Sequence, residues 1–164
     1  MKRGSPRISS KRRLSWTVSA GLAACALAPI AARAEACEWP VSGTRLTVIV
    51  DEVQSNRGLM TASLYPADSS QYLAKDGAIR VWRVAARAPS TSMCIWLKGP
   101  GTYALAIYQD TNSDHRPDVG PLGPTKPYGF SRNPRIFLSA PSFDHVKFQA
   151  GPGETTIHVR LHNP

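Results

Sequence analysis

Short segments in which apolar and polar residues alternate recur along the chain. The segment TRLTVIVD places Leu46, Val48 and Val50 on one face, and ETTIHVRL sets Ile157 and Val159 against polar neighbours. A period of two is typical of a half-buried β-strand, because successive side chains point to opposite faces. The alternation therefore predicts a β-rich domain.

Four further segments carry strand patterns, namely GLMTASLYP, AIRVWRVAARA, SMCIWLKGP and GTYALAIYQD. Turn residues around Arg57 and Gly58 predict a hairpin between TRLTVIVD and GLMTASLYP. Helical signals are confined to SQYLAKDG around Tyr72 and SFDHVKF around Val146. We predict an all-β fold, a single antiparallel β-sandwich of immunoglobulin-like or transthyretin-like type with about seven strands.

The first 34 residues have the order of a secretory signal. The basic segment MKRGSPRISSKRR precedes an apolar run that ends with small residues at Ala32 and Ala34. Cleavage after Ala34 leaves residues 35–164 as one domain without a membrane span, located in the periplasm or secreted. Two alternatives are a lipoprotein acylated at Cys25, which follows Leu-Ala-Ala, and a retained anchor.

Removal of this segment changes the charge of the protein. The full chain has a formal net charge of +9, but 7 of its 20 basic residues and none of its 11 acidic residues lie in residues 1–34. The remaining domain has 13 basic minus 11 acidic residues, or +2. The basic excess therefore belongs to the targeting segment, and we expect no binding to nucleic acid.

Two cysteines remain after cleavage, Cys37 and Cys94. An even pair in a chain destined for an oxidising compartment predicts a disulfide between them. The alternative is two separate buried thiols.

The segment from Asp110 to Asp118 has oxygen-bearing residues at alternate positions. This spacing matches positions 1, 3, 5, 7 and 9 of a calcium loop, with a backbone carbonyl at position 7. The predicted donors are Asp110, Asn112, Asp114, the carbonyl of Arg116, and Asp118. His115 replaces the usual glycine at position 6, and Pro121 replaces the usual glutamate at position 12. The spacing predicts either a structural calcium site or an Asx-rich turn whose side chains cap backbone amides.

Three segments carry a resemblance to a family: GTYALAIYQDTNSDHRPD, LGPTKPYGFSRNPR and APSFDHVKF. They are similar to the bacterial family called domain of unknown function 2141, and the likeness extends from Leu46 to Leu161. The block from Tyr128 to Ser131 is its most specific part. The resemblance implies an exported β-sandwich with no assigned activity. The chain departs from the family where Asp114 and His115 replace Asn-Gly.

The YGFSRNPR segment suggests a second kind of site. Tyr128 and Phe130 can present aromatic faces to a sugar or a peptide, and Arg132 and Arg135 can supply charge. The alternative is a proline-bounded loop that packs its aromatic side chains over one end of the sandwich.

Catalytic motifs are absent from the sequence. Histidines and serines occur, but without a Gly-x-Ser-x-Gly or His-Glu-x-x-His pattern, and the cysteine and histidine spacing does not fit zinc. We therefore predict an exported accessory or binding module. Its cofactor is one structural calcium ion if the loop from Asp110 to Asp118 is a calcium site, and none if the loop is an Asx-rich turn. Its expected partner is a protein, peptide or glycan of the cell envelope. A module binding carbohydrate or peptide through Tyr128 and Phe130 is the alternative, and a hydrolase is a distant third.

Overall fold

The computed structural model describes Met1 and residues 43–121, 123–137 and 139–164. The predicted signal peptide, the cleavage site after Ala34 and the residues Cys25 and Cys37 lie outside the described residues. The Cys37–Cys94 disulfide therefore stays a prediction.

The described residues form ten strands and one short helix. Their bounds are β1 Thr44–Asp51, β2 Leu59–Tyr65, β3 Arg80–Ala85, β4 Thr91–Leu97, β5 Gly101–Asp110, β6 Val119–Gly120, β7 Gly123–Pro124, β8 Tyr128–Phe130, α1 Phe143–Val146, β9 Phe148–Ala150 and β10 Glu154–Arg160. None of the helical segments in the described ranges has the length and apolar character to cross a membrane.

The main strands are arranged in two sheets. The first has the order β10-β1-β4, in which β1 pairs parallel with β10 and antiparallel with β4. The second has the order β3-β2-β5-β8 and is antiparallel throughout, and β9 pairs with the first residues of β5. Strands β6 and β7 form a small separate hairpin.

The inward faces of the two sheets form one hydrophobic core. Alternate residues of β1 and β4 and alternate residues of β2 and β5 belong to the same buried cluster. Full burial of each such aliphatic side chain contributes about 1.5–3 kcal/mol. The core members from these four strands are Leu46, Val48, Val50, Met93, Ile95, Leu97, Met60, Ala62, Leu64, Leu105 and Ile107. The predicted all-β sandwich is confirmed, with the parallel β1–β10 pair as an addition to the antiparallel pattern.

Two local predictions are wrong. Strands β1 and β2 do not form a hairpin, because they lie in different sheets and the chain between them crosses the sandwich. Gln109 holds this crossing in place by donating from Nε2 to the carbonyls of Ser55 and Arg57 at 3.0 and 2.9 Å. The segment around Tyr72 forms successive turns instead of a helix, whereas the predicted helical turn around Val146 is present as α1.

The outward face of the β3-β2-β5-β8 sheet carries a second apolar cluster. Tyr65, Ala104 and Phe130 are buried there with Val146 of α1. The partly buried residues packed against them are Tyr72, Ala78, Ala106, Tyr128, Ile136 and Phe143. The strand register places Tyr108 beside Tyr128 and Ala106 beside Phe130 on the same outward face. The side chains toward the Asp110 end of β5 form the floor of the groove described below.

The block from Tyr128 to Ser131 alternates between two roles. Tyr128 and Phe130 point outward, and Gly129 faces β10, where an added Cβ would lie 2.5 Å from the carbonyl oxygen of Arg160. Ser131 is fully buried, and its Oγ donates to the Val146 carbonyl at 2.6 Å. The block therefore anchors β8 and places its aromatic rings in the second apolar cluster, where Phe130 is buried and Tyr128 is half-buried. This packing matches the alternative interpretation of the segment, in which its aromatic side chains cover part of the sandwich.

We expect the substitution Gly129→Ala to lower the free energy of unfolding by about 2–3 kcal/mol, because the new methyl group overlaps backbone atoms that cannot move independently. Urea denaturation monitored by tryptophan fluorescence measures the loss. Gly99→Ala is the matched control, because no atom lies within 4 Å of its Cβ position. Equal stabilities of the two variants would contradict this account of the block.

Candidate binding groove and the lysine-centred loop

The loop that follows β5 folds around the side chain of Lys126. The ammonium nitrogen of Lys126 lies within hydrogen-bond distance of five oxygen atoms, one from each residue predicted as a calcium donor. These are Asp110 Oδ1 at 2.9 Å, Asn112 Oδ1 at 2.7 Å, Asp114 Oδ1 at 2.7 Å, the Arg116 carbonyl at 2.9 Å and Asp118 Oδ2 at 3.1 Å. The five predicted donors therefore do converge on one point, and Lys126 Nζ lies at that point.

The centre of this loop is buried. Lys126 is 5% exposed and Asp110 is 0% exposed, although both are ionisable. Sequence reasoning missed Lys126 because it lies 16 positions after Asp110. The available signal was its isolation, since Lys126 is the only charged residue between Asp118 and Arg132.

The backbone of the loop supports the same arrangement. His115 adopts a left-handed φ of 64°, and its amide donates to Asp110 Oδ2 at 2.7 Å. The amide of Arg116 donates to Asp114 Oδ1 at 3.0 Å. The loop thus has the side-chain-to-amide contacts expected of an Asx-rich turn, together with the convergent oxygens expected of a calcium site.

Electrostatics keep the centre of the loop ionised. The hydrogen bond from the Lys126 ammonium, followed by that from the Arg116 amide, holds the pKa of Asp114 well below its ordinary value of 3.8. Burial alone lowers the pKa of Lys126, but its hydrogen bonds to Asp114, Asp110 and Asp118 outweigh burial and leave that pKa above 10.5. Lys126 is therefore a cation, and Asp114 an anion, throughout the neutral range.

Within the described ranges, no group of three or more His, Cys, Asp and Glu side chains is arranged to hold a metal ion. Around Lys126 the carboxylates face an ammonium group instead. The calcium site stays a prediction about the same five donors, with Lys126 as a competitor for them.

A groove of about 810 Å³ lies on the outward face of the β3-β2-β5-β8 sheet. Strands β2, β3, β5 and β8 supply its floor, and the lysine-centred loop and the segment after β8 supply further lining. Its lining includes Thr61, Tyr108, Val119, Tyr128, Phe130 and Phe137.

The groove combines apolar surface with one unpaired polar atom. Phe137 is 82% exposed and Val119 is 72% exposed, although both are large and apolar. Tyr128 and Phe130 pack edge to face with ring centres 6.0 Å apart. Thr61 Oγ1 is buried and has no hydrogen-bond partner, which is uncommon for a buried hydroxyl.

The structure separates the four residues predicted to bind a sugar or a peptide. Tyr128 and Phe130 line the groove. Arg132 lines a different pocket of about 440 Å³ beside Phe143, and Arg135 is exposed and lines neither pocket. Arg132 has a left-handed φ of 66°, so the chain turns at this residue and side chains no longer alternate between the two faces as they do in β8.

Two histidines pair with oxygen-bearing side chains on the surface of the described residues. His145 Nδ1 lies 3.1 Å from Ser142 Oγ at the start of α1, and neither residue lines the two pockets. His158 pairs with Asp51 at 2.9 Å.

A family model described as an uncharacterized protein conserved in bacteria (DUF2141) matches residues 48–158. The matched range runs from β1 to β10, and so it includes the lysine-centred loop and the floor of the groove. No curated protein and no solved structure matches the chain.

We expect the substitution Lys126→Met to lower the free energy of unfolding by about 3–5 kcal/mol, because it leaves the buried Asp110 carboxylate without its cation. Urea denaturation at neutral pH measures the change. Lys147→Met is the control, since Lys147 pairs with Asp144 on the surface and such pairs contribute about 1 kcal/mol or less. Similar losses in both variants would show that the Lys126 contacts are not specially stabilising.

Acid should weaken the loop. The pKa of Asp114 is lowered in the folded protein, so its contribution to stability is present above its ordinary pKa of 3.8. That contribution is lost as pH falls from 3.8 through the lowered pKa of the folded protein. Denaturation midpoints of the wild type and of Asp114→Asn, measured from pH 7 to pH 2, should therefore converge toward acid. Curves that stay parallel over this range would refute the assignment.

Proposed function

The chain belongs to the DUF2141 family of uncharacterized proteins conserved in bacteria, and we propose that this domain is an exported binding module whose groove holds an apolar segment of a partner polypeptide. The carrying observation is the concave, aromatic surface over β2, β5 and β8. Its volume of about 810 Å³ is within the range usual for ligand sites. No catalytic role is part of the proposal.

The exposed apolar side chains support an apolar ligand. Phe137 and Val119 each keep most of their surface in water, and both line one concavity with Tyr128 and Phe130. Clustered exposed apolar residues typically mark an interaction site, whereas isolated ones do not. A ligand that covers Phe137 and Val119 removes this surface from water, and that burial is the main favourable contribution to binding.

The polar groups of the groove can serve the backbone of a polypeptide. The lining includes Asp76, Arg83 and the hydroxyl groups of Tyr108 and Tyr128, and an extended peptide carries an amide and a carbonyl at almost every residue. A sugar can use the same polar groups, but it offers little apolar surface to cover Phe137 and Val119.

The proposed location in the periplasm or outside the cell rests on the sequence. The basic start, the apolar run and the Ala-x-Ala site before Glu35 are the features that support export. The proposed disulfide from Cys37 to Cys94 fits the same compartment, and Cys94 lies in β4, a strand that pairs directly with β1. A bridge there joins the segment before β1 to the neighbouring strand of the same sheet.

The binding proposal is tested with two arrays. The first array carries twelve-residue peptides in two matched versions. One version has leucine, valine and phenylalanine at chosen positions, and the other has serine at the same positions. The second array carries bacterial envelope glycans. We expect wild-type protein to bind the apolar peptides and Phe137→Ser to weaken that binding at least about tenfold, which corresponds to 1.4 kcal/mol.

Ile79→Ser is the matched control, because Ile79 is also an exposed apolar residue (47%) but does not line the groove. Equal effects of the two substitutions, or no binding to the apolar peptides, would contradict the proposal. Binding to glycans alone, lost on Tyr128→Ala, would favour the carbohydrate alternative.

A further inference from the structure

The lysine-centred loop has the geometry of a cation site whose centre is filled by the chain itself. Three carboxylates, one amide oxygen and one carbonyl oxygen surround a single point. An ammonium group has three N–H donors, so five oxygens are more acceptors than it can engage one by one. Such an excess of hard oxygen donors is the coordination preferred by calcium.

We propose that Lys126 is the built-in cation of a calcium-type loop, and that removal of its side chain exposes a divalent-cation site that the wild type does not offer. This inference is independent of the proposed function. It rests on the position of Nζ among the five oxygens and on the burial of Lys126 and Asp110.

The distances make calcium the expected ion for the emptied site. The oxygens lie 2.7–3.1 Å from Nζ, and calcium takes oxygens at about 2.3–2.6 Å, so a contraction of about 0.4 Å is enough. Magnesium needs about 2.0–2.1 Å in strict octahedral geometry, which requires twice that contraction. Water in the space left by the lysine side chain completes six or seven ligands. The donor set contains no sulfur or nitrogen, which disfavours softer metals.

The charge balance also favours a divalent ion in the emptied site. Lys126 contributes one positive charge against the carboxylates of Asp110, Asp114 and Asp118. Without the lysine, three negative groups face each other, and their mutual repulsion opposes the folded loop. A divalent ion relieves that repulsion better than a monovalent ion, so binding of calcium and folding of the loop become coupled.

The lysine-centred loop also borders the groove. His115, Pro117 and Val119 belong to or directly follow the loop and line the groove. Lys126 joins this lining to Asp110, the last residue of β5. In the wild type the lining is therefore held without a divalent ion, and Lys126 is a positioning residue for it.

The test uses wild-type protein, Lys126→Ala and Lys126→Met, each stripped of metal and melted with EDTA or with about 1 mM calcium or magnesium. We expect the Tm of the wild type to be unchanged by either ion. Lys126→Ala should melt lower in EDTA and gain several degrees in calcium, because an ion that binds only the folded state stabilises it by mass action. Lys126→Met fills the same space with an apolar side chain. Its Tm should therefore be lower than that of the wild type and should not change with calcium or magnesium.

Binding is measured directly by titration calorimetry with calcium chloride. Lys126→Ala should bind one calcium ion, and Lys126→Ala combined with Asp114→Ala should bind at least about tenfold more weakly, because a carboxylate ligand is lost. A wild type whose Tm rises in calcium would overturn the proposal, since the ion would then displace Lys126.

Absence of calcium binding by folded Lys126→Ala would overturn it equally. If Lys126→Ala is unfolded in EDTA, its refolding from urea is measured in calcium and in magnesium. Refolding in calcium but not in magnesium would support the proposal in the same way as the Tm shift. Failure to refold in either ion would overturn the proposal.

Discussion

The buried contact between Lys126 and Asp110 is the interaction on which the loop after β5 and the adjoining part of the groove depend. Moving either charge out of water costs several kcal/mol, and only close pairing with further hydrogen bonds offsets that cost. Asp110 meets both conditions, because Oδ1 accepts from Lys126 and Oδ2 accepts from the His115 amide. On the other side of the chain, Gly58 packs so closely that an added Cβ would lie 1.9 Å from the Asp110 carbonyl oxygen. The start of the loop is therefore fixed by charge on one side and by backbone contact on the other.

Strand β5 carries these constraints into the core. It pairs with β2, β8 and β9, and it contributes Leu105 and Ile107 to the core while Ala106 and Tyr108 face the groove. Gln109, one residue before the loop, holds the crossing segment between β1 and β2. Strand β5 thus connects the core, the segment between β1 and β2, the lysine-centred loop and the groove. A substitution that destabilises β5 should therefore also change the shape of the groove.

The sequence predicts what depends on local spacing. Alternation identified the strands, and the period of two from Asp110 to Asp118 identified five oxygens that do converge. It did not identify the group at their centre, because the long side chain of Lys126 arrives from a distant position.

The predicted β1–β2 hairpin failed for a related reason, since a turn signal does not tell whether the chain pairs with its neighbour or crosses to the other sheet. The sequence predicts one site from Tyr128, Arg132 and Arg135 because they are close in the chain. That prediction assumes that the strand-like alternation continues after β8, but the left-handed turn at Arg132 ends it. The groove depends on which outward residues stay uncovered, and only the positions of α1 and the loops decide that.

The parallel pairing of β1 with β10 bears on when the domain can fold. Arg45 is paired with Glu154 and Asp51 with Arg160, so this sheet joins positions more than a hundred residues apart. Contacts of such separation slow folding, because a long loop must close before they form. Until β10 has left the ribosome, β1 lacks a partner on one edge. This sheet is therefore completed only after nearly the whole domain has been synthesised.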